Sequence, residues 1–124
     1  MNRRAFLIIT AATALSACGR RRDATPATRS AQPLYPNETP ELRALVNKYA
    51  SIHEIPTGLI HRVIQRESDY RPAARNGPYY GLMQILPETA RTMGHRGSAS
   101  DLLDAETNLI HAGKYLRGAW LVSD

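Results

Sequence analysis

The chain is poor in cysteine and in the largest aromatics, with one Cys, one Trp and one Phe among its 124 residues. A single cysteine excludes an internal disulfide and any cysteine-based zinc cluster. The four histidines, His53, His61, His95 and His111, fall at no ligating interval, so neither a metal nor a cofactor is expected. Runs long enough to span a bilayer are missing, since the apolar stretch Ala5 to Leu15 is too short. No stretch alternates with period two, which argues against a sheet, and no internal repeat is visible. A charge bias outside the first residues is also lacking. The net charge is +5 and the isoelectric point near 9.8. Residues 1–30 hold six of the 16 Lys and Arg (3, 4, 20, 21, 22, 29) and one of the 11 Asp and Glu, which leaves ten of each sign beyond them. The remainder is neutral, and a nucleic-acid partner loses its support.

What is present begins with a targeting pattern. Met1-Asn2-Arg3-Arg4 is a positive start, Ala5 to Leu15 an apolar segment, and Leu15-Ser16-Ala17-Cys18 follows. Residues 1–18 resemble a bacterial lipoprotein signal with its lipobox. That resemblance implies lipidation at Cys18 and a membrane anchor in the cell envelope. A cleaved secretory signal with an incidental cysteine is the alternative. Arg3-Arg4-Ala5-Phe6-Leu7 also looks like a twin-arginine signal, although paired arginines occur in ordinary signals. Arg20-Arg21-Arg22 would lie against anionic headgroups. Gly19, in place of the Asp that marks inner-membrane retention in many bacteria, leans toward the outer membrane and a periplasmic domain.

Residues 19–38 are rich in Ala, Thr, Ser, Pro and Arg and read as a disordered tether. The domain is expected over 39–124, all-α, in short helices around a small core. Thr39-Pro40 is a cap followed by a first-turn proline, with Leu42, Leu45, Val46 and Tyr49 on one face. Pro56 opens a second helix that ends before Pro72. Pro87-Glu88 starts a third, which Gly94 stops in a left-handed conformation. Asp104 caps a fourth, with Leu109, Ala112, Leu116 and Trp120 along its buried stripe.

Leu59, Ile60, Val63 and Ile64 recur at helical spacing, and the next position on that face is Glu67. A carboxylate stands where a core residue is due. Burial against apolar side chains disfavours the charged form of a carboxyl, which suits a general acid working near neutrality.

Glu67-Ser68, then Pro72, then Gly81-Leu82-Met83-Gln84-Ile85-Leu86-Pro87-Glu88-Thr89-Ala90, then Asn108-Leu109 and Tyr115-Leu116, together resemble the soluble lytic transglycosylase family. The resemblance covers roughly residues 42 to 120. It implies a lysozyme-like helical fold, related to goose-type lysozyme, and cleavage of peptidoglycan glycan strands by a monomeric enzyme. Glu67 would be the catalytic acid and base. Ser68, Gly81, Met83, Gln84, Leu86 and Tyr115 would serve substrate, and Asn108 would be a structural member of the motif. Ser68 is expected to orient the catalytic region, and Gly81 to let backbone approach the substrate or the helix of Glu67. Tyr79 and Tyr80 could stack on sugars or simply pack the loop.

Two-carboxylate glycosidases need a second acid across the scissile bond. Asp69, on a continuing helix, would point about 200° away from Glu67. Asp101, Asp104 and Glu106 fall where helix caps and first-turn acids belong. The family needs no second acid, because the substrate's own 6-hydroxyl attacks and leaves a 1,6-anhydro end. A hydrolytic muramidase and an inactive, wall-binding lipoprotein are the alternatives.

The chain departs from the family pattern in four places, one being Tyr79-Tyr80 where a small residue usually precedes the glycine. The loop between Glu67 and Gly81 is about one residue short, Ala112-Gly113 inverts the usual order, and an Ala-Tyr-Asn-Ala-Gly segment after Tyr115-Leu116 is absent. The domain is therefore expected to lack its last helices, with Leu116 and Trp120 left exposed.

Overall fold

Prolines and polar caps set where the helices begin. The computed structural model describes residues 32–123. Cys18, the signal segment and most of the expected tether lie outside the described residues. Thr39 is extended, and its hydroxyl accepts the Leu42 amide at 3.1 Å, with Pro40 in the first turn of α1 (Pro40–Ile52). The second helix, α2 (Thr57–Glu67), follows Pro56. A small hairpin comes next, β1 (Arg75–Asn76) against β2 (Tyr79–Tyr80), antiparallel with Arg75 opposite Tyr80 and Asn76 opposite Tyr79. Then come α3 (Pro87–Thr92), a 3-10 turn (Ala99–Leu103) and α4 (Ala105–Leu121). Gly94 stops α3 at φ 107°, and the Asp104 carboxylate caps α4 by accepting the Thr107 amide at 3.0 Å.

The core is the meeting of these helices. Val46 and Ala50 from α1, Ile60 and Ile64 from α2, Leu82 and Ile85 from the loop, Ala90 from α3, Leu102, and Leu109 and Ala112 from α4 are all buried. α1 packs on α2 and on α4, and α3 and the 3-10 turn also pack on α4. Gly113 lets α4 come close to the end of α1, since a Cβ there would meet the ring of His53. His53 Nε2 also lies 2.9 Å from the Leu109 carbonyl. The mostly helical fold agrees with the all-α expectation. The hairpin is the exception, and strands of two residues are too short to carry any periodicity.

Three local expectations need correction. The end of the expected tether is anchored at two residues, Tyr35 and Glu38, although Pro33 to Asn37 are exposed. Glu38 is buried, with Arg43 donating to both of its oxygens at 3.0 and 2.6 Å and the Tyr35 amide donating at 2.9 Å. Tyr35 stacks on Tyr70, ring centres 5.8 Å apart. Trp120 is 38% exposed, off the buried stripe of α4 and in line with the exposure also expected for it, while Leu116, expected to be exposed, is half-buried against the core. Asp69 does not continue the helix. It sits at φ 50°, exposed, where its carboxylate accepts the Asn37 amide at 2.8 Å.

Candidate active site

The last residue of α2 is Glu67. Ile60 and Ile64 take the inner face of that helix with no exposure, while Val63 and Glu67 lie a little to one side and are half-buried. The apolar stripe therefore brings Glu67 to the rim of the core instead of into it. Its side chain is 32% exposed, and Arg66 Nε donates to its Oε1 at 3.0 Å. Enclosure in an apolar pocket, expected from the spacing, is not what surrounds this carboxyl. The helical register is right; the face that carries Glu67 is an open one.

The chain then turns sharply. Ser68 and Asp69 both direct their amides to the Ile64 carbonyl at 3.0 Å, and Asp69 and Tyr70 follow in left-handed conformations, φ 50° and 58°. Left-handed backbone costs about 1–2 kcal/mol at each non-glycine residue. Burial of Tyr70 offsets this, with its hydroxyl 2.6 Å from His61 Nδ1. Because Asn47 Oδ1 accepts from His61 Nε2 at 2.9 Å, His61 Nδ1 is left to accept the Tyr70 proton. Burial pushes the Tyr70 hydroxyl up to about 12 and holds the His61 imidazole below its ordinary range.

Opposite Glu67 stands the loop Gly81-Leu82-Met83-Gln84. Its neck is closed by a bridge in which Tyr80 and Ile85 exchange backbone hydrogen bonds at 3.0 and 3.1 Å. Two buried side chains hold it from behind. Ser68 donates its hydroxyl to the Leu82 carbonyl at 2.6 Å, which ties the end of α2 to the loop. Asn108, with no exposure, accepts the Met83 amide at 2.9 Å and donates to the carbonyls of Tyr80 and Leu102 at 2.9 and 3.0 Å. Both N–H donors of that amide are used, and its oxygen accepts one backbone amide. Leu82 points into the core, and Met83 and Gln84 are left for the cleft.

Between these walls lies a cleft of ≈ 510 Å³. Val63, Arg66 and Glu67 line it from α2, Asn76 and Tyr79 from the hairpin, Met83, Gln84 and Ile85 from the loop, Leu86 and Thr89 from the start of α3, and Ala112, Tyr115, Leu116 and Ala119 from α4. Two of the tyrosines on it are well exposed, Tyr79 at 43% and Tyr115 at 53%. Beside them the Arg75 guanidinium lies over the Tyr80 ring, 3.5 Å from its centre, and braces the hairpin.

Gln84 has an unusual position. Its backbone is left-handed at φ 53°, and its Nε2 donates to the Ala74 and Gly81 carbonyls at 3.0 and 2.8 Å. Two carbonyl acceptors fix which end of the amide is nitrogen. Gln84 Oε1 is then a buried acceptor with no partner among the described residues. Such an atom costs about 1–3 kcal/mol unless a donor reaches it.

Of the residues singled out from the sequence, Glu67, Met83, Gln84, Leu86 and Tyr115 share the cleft. Ser68 and Gly81 do not line it. Ser68 is buried and spends its hydroxyl on the Leu82 carbonyl, so it positions the loop and does not face the cleft. Gly81, at φ 77°, faces neither substrate nor the helix of Glu67, since a Cβ there would overlap the Leu102 carbonyl and Asn108 Nδ2. Close approach to the 3-10 turn and to α4, together with the positive φ, is the reason for this glycine. Asn76, Thr89 and Ala119 also line the cleft and were not distinguishable from loop and helix-surface residues. Arg66 was legible only as a neighbouring charge.

Only one carboxylate, Glu67, is found among the residues that line the cleft. The later acids Asp101, Asp104 and Glu106 are used elsewhere. Asp101 closes a capping box with Ser98, Asp104 caps α4, and Glu106 accepts from the Tyr49 hydroxyl at 2.7 Å and from Lys48 at 3.3 Å. The hydrogen bond from Tyr49 is the main reason that the Glu106 carboxyl lies below its ordinary range and that the Tyr49 hydroxyl is pushed up to about 12. Among the described residues no group of three or more His, Cys, Asp and Glu side chains is placed to hold a metal.

The family model described as the transglycosylase SLT domain matches residues 44–121. No solved structure matches the chain.

Proposed function

The chain belongs to the SLT transglycosylase family, and from that premise we propose that it is a lytic transglycosylase cutting the β-1,4 bond between N-acetylmuramic acid and N-acetylglucosamine in peptidoglycan. The observation that carries the reading is the single carboxylate in the cleft. Retaining and inverting hydrolases use two. One is enough where the substrate brings its own nucleophile.

In that reaction Glu67, as the acid, gives its proton to the glycosidic oxygen while the bond from that oxygen to C1 of the muramyl sugar breaks. The N-acetylglucosamine departs with a free hydroxyl. Glu67, now a carboxylate, removes the proton from the muramyl 6-hydroxyl, whose oxygen bonds to C1. The acid is regenerated, no water is consumed, and a 1,6-anhydro end remains. A tethered nucleophile brings an effective molarity of about 10⁵ M or more, so no bound water has to be positioned.

The other lining residues have tasks that suit their chemistry. Gln84 Oε1 is an acceptor awaiting a donor, and an acetamido N–H or a sugar hydroxyl supplies one. Met83 and Leu86 give an apolar wall, and the exposed rings of Tyr79 and Tyr115 offer faces on which sugars stack. The domain would act from a lipid anchor at Cys18 on the wall next to the membrane. Leu15 to Cys18 and the arginines at 20–22 support that placement.

Turbidity clearing of purified sacculi tests the assignment. The parent clears them, and Glu67→Gln lowers the rate by at least about 10². A variant that clears sacculi as fast as the parent removes Glu67 from the chemistry.

A further inference from the structure

Arg62 and Arg66 stand one turn apart on α2, and with Leu59, Val63 and Gln65 they line a second groove of ≈ 560 Å³. Val63 and Arg66 line both hollows, so the groove runs alongside the cleft that holds Glu67. Arg62 is exposed, and among the described residues it has no ion-pair partner. Arg66 is paired only with its neighbour Glu67, through one nitrogen, and its side chain is 74% exposed. With the Gln65 amide hydrogen-bonded to the Tyr70 hydroxyl, the groove has two guanidinium groups as donors and no carboxylate of its own. Forked donors of this kind match carboxylate oxygens.

We propose that this groove takes the carboxylates of the peptide stems that branch from the glycan strand, with Arg62 and Arg66 as the contacts. The inference rests on the function proposed above, because a muramyl sugar in the cleft brings its stem to the adjoining surface. The stem is anionic and the sugars are neutral, so the groove adds a preference for peptide-bearing strands over bare glycan.

The test is co-sedimentation of the full chain carrying Glu67→Gln, so that the wall persists, with intact sacculi and with sacculi stripped of their peptides by an amidase. Intact sacculi are expected to bind more tightly. Adding Arg62→Gln should cut that preference about threefold to fivefold, the size of an exposed charge pair, and Arg62→Lys should keep most of it. Equal affinity for the two glycans overturns the proposal, as does an equal loss on both with Arg62→Gln. So does Arg62-dependent binding to phosphatidylglycerol vesicles without a preference between the glycans, which would make the patch a membrane contact. Binding is read apart from cleavage. Preference for stems in a chain whose parent clears no sacculi supports the groove and refutes the enzyme.

Discussion

Glu67 touches the core only through its helix, since the buried face of α2 belongs to Ile60 and Ile64. Glu67→Gln should therefore leave stability within about 0.5 kcal/mol of the parent while removing activity. The exposed pair with Arg66 is consistent with that expectation, because adjacent exposed pairs lie toward the low end of about 0.2–1 kcal/mol. Asn108 is the opposite case. Asn108→Ala leaves the Met83 amide and the Tyr80 and Leu102 carbonyls short of partners in a buried site. The expected loss is about 3 kcal/mol or more by thermal or urea unfolding. Activity should fall with it, because the loop that presents Met83 and Gln84 is no longer held. A variant that unfolds like the parent would show that this amide does not hold the loop. Both residues stand in the sequence motif, where the resemblance already gives Asn108 a structural part, and the structure adds which groups of the loop it holds.

At the scale of elements, the helices were legible because each start is marked by a side chain with one physical job. Thr39 caps α1, Pro40 and Pro87 take first-turn positions, and Asp104 caps α4. The hairpin and the anchoring of Tyr35 and Glu38 were not. The hairpin is shorter than any period, and Tyr35 and Glu38 are fixed by particular partners, Tyr35 by the ring of Tyr70 and Glu38 by Arg43 and the Tyr35 amide, with His61 close by. Those contacts give stability a pH dependence. His61 is held below its ordinary 6.5 by burial, with Glu38 raising it and Arg43 lowering it. The unfolded chain therefore takes up a proton first as pH falls, and stability is lost from about 6.5 downward. Burial opposes the charge on Glu38, but the hydrogen bonds from Arg43 and Tyr35 outweigh it and hold that carboxyl below its ordinary 4.5. Its contribution is full above 4.5 and is lost as pH falls through the lower folded value. Calorimetry from neutral to acid pH should show Tm declining from about pH 6.5, with the first part of the decline flattened in His61→Gln. A Tm that rises over that interval contradicts the account.

Over the whole molecule, one cleft is assembled from α2, the hairpin, the loop, α3 and α4, and the spacing between Glu67 and the Gly81–Gln84 run is what brings its walls together. That spacing carried the family in the sequence. The walls themselves were only partly readable, because membership of a cleft depends on which side of a short helix or loop faces a neighbour. Gly81 and Ser68 look like site residues in one dimension, and in three they lie behind it. Trp120, Leu121 and Val122 at the end of α4 are exposed and take no part in the buried core. The central claim is that one carboxylate serves a reaction in which no water attacks. The most direct measurement is mass spectrometry of the muropeptides released from sacculi digested in heavy-oxygen water. The account predicts 1,6-anhydromuramic ends with no heavy oxygen incorporated at the cleaved bond. Reducing ends that carry heavy oxygen would contradict it.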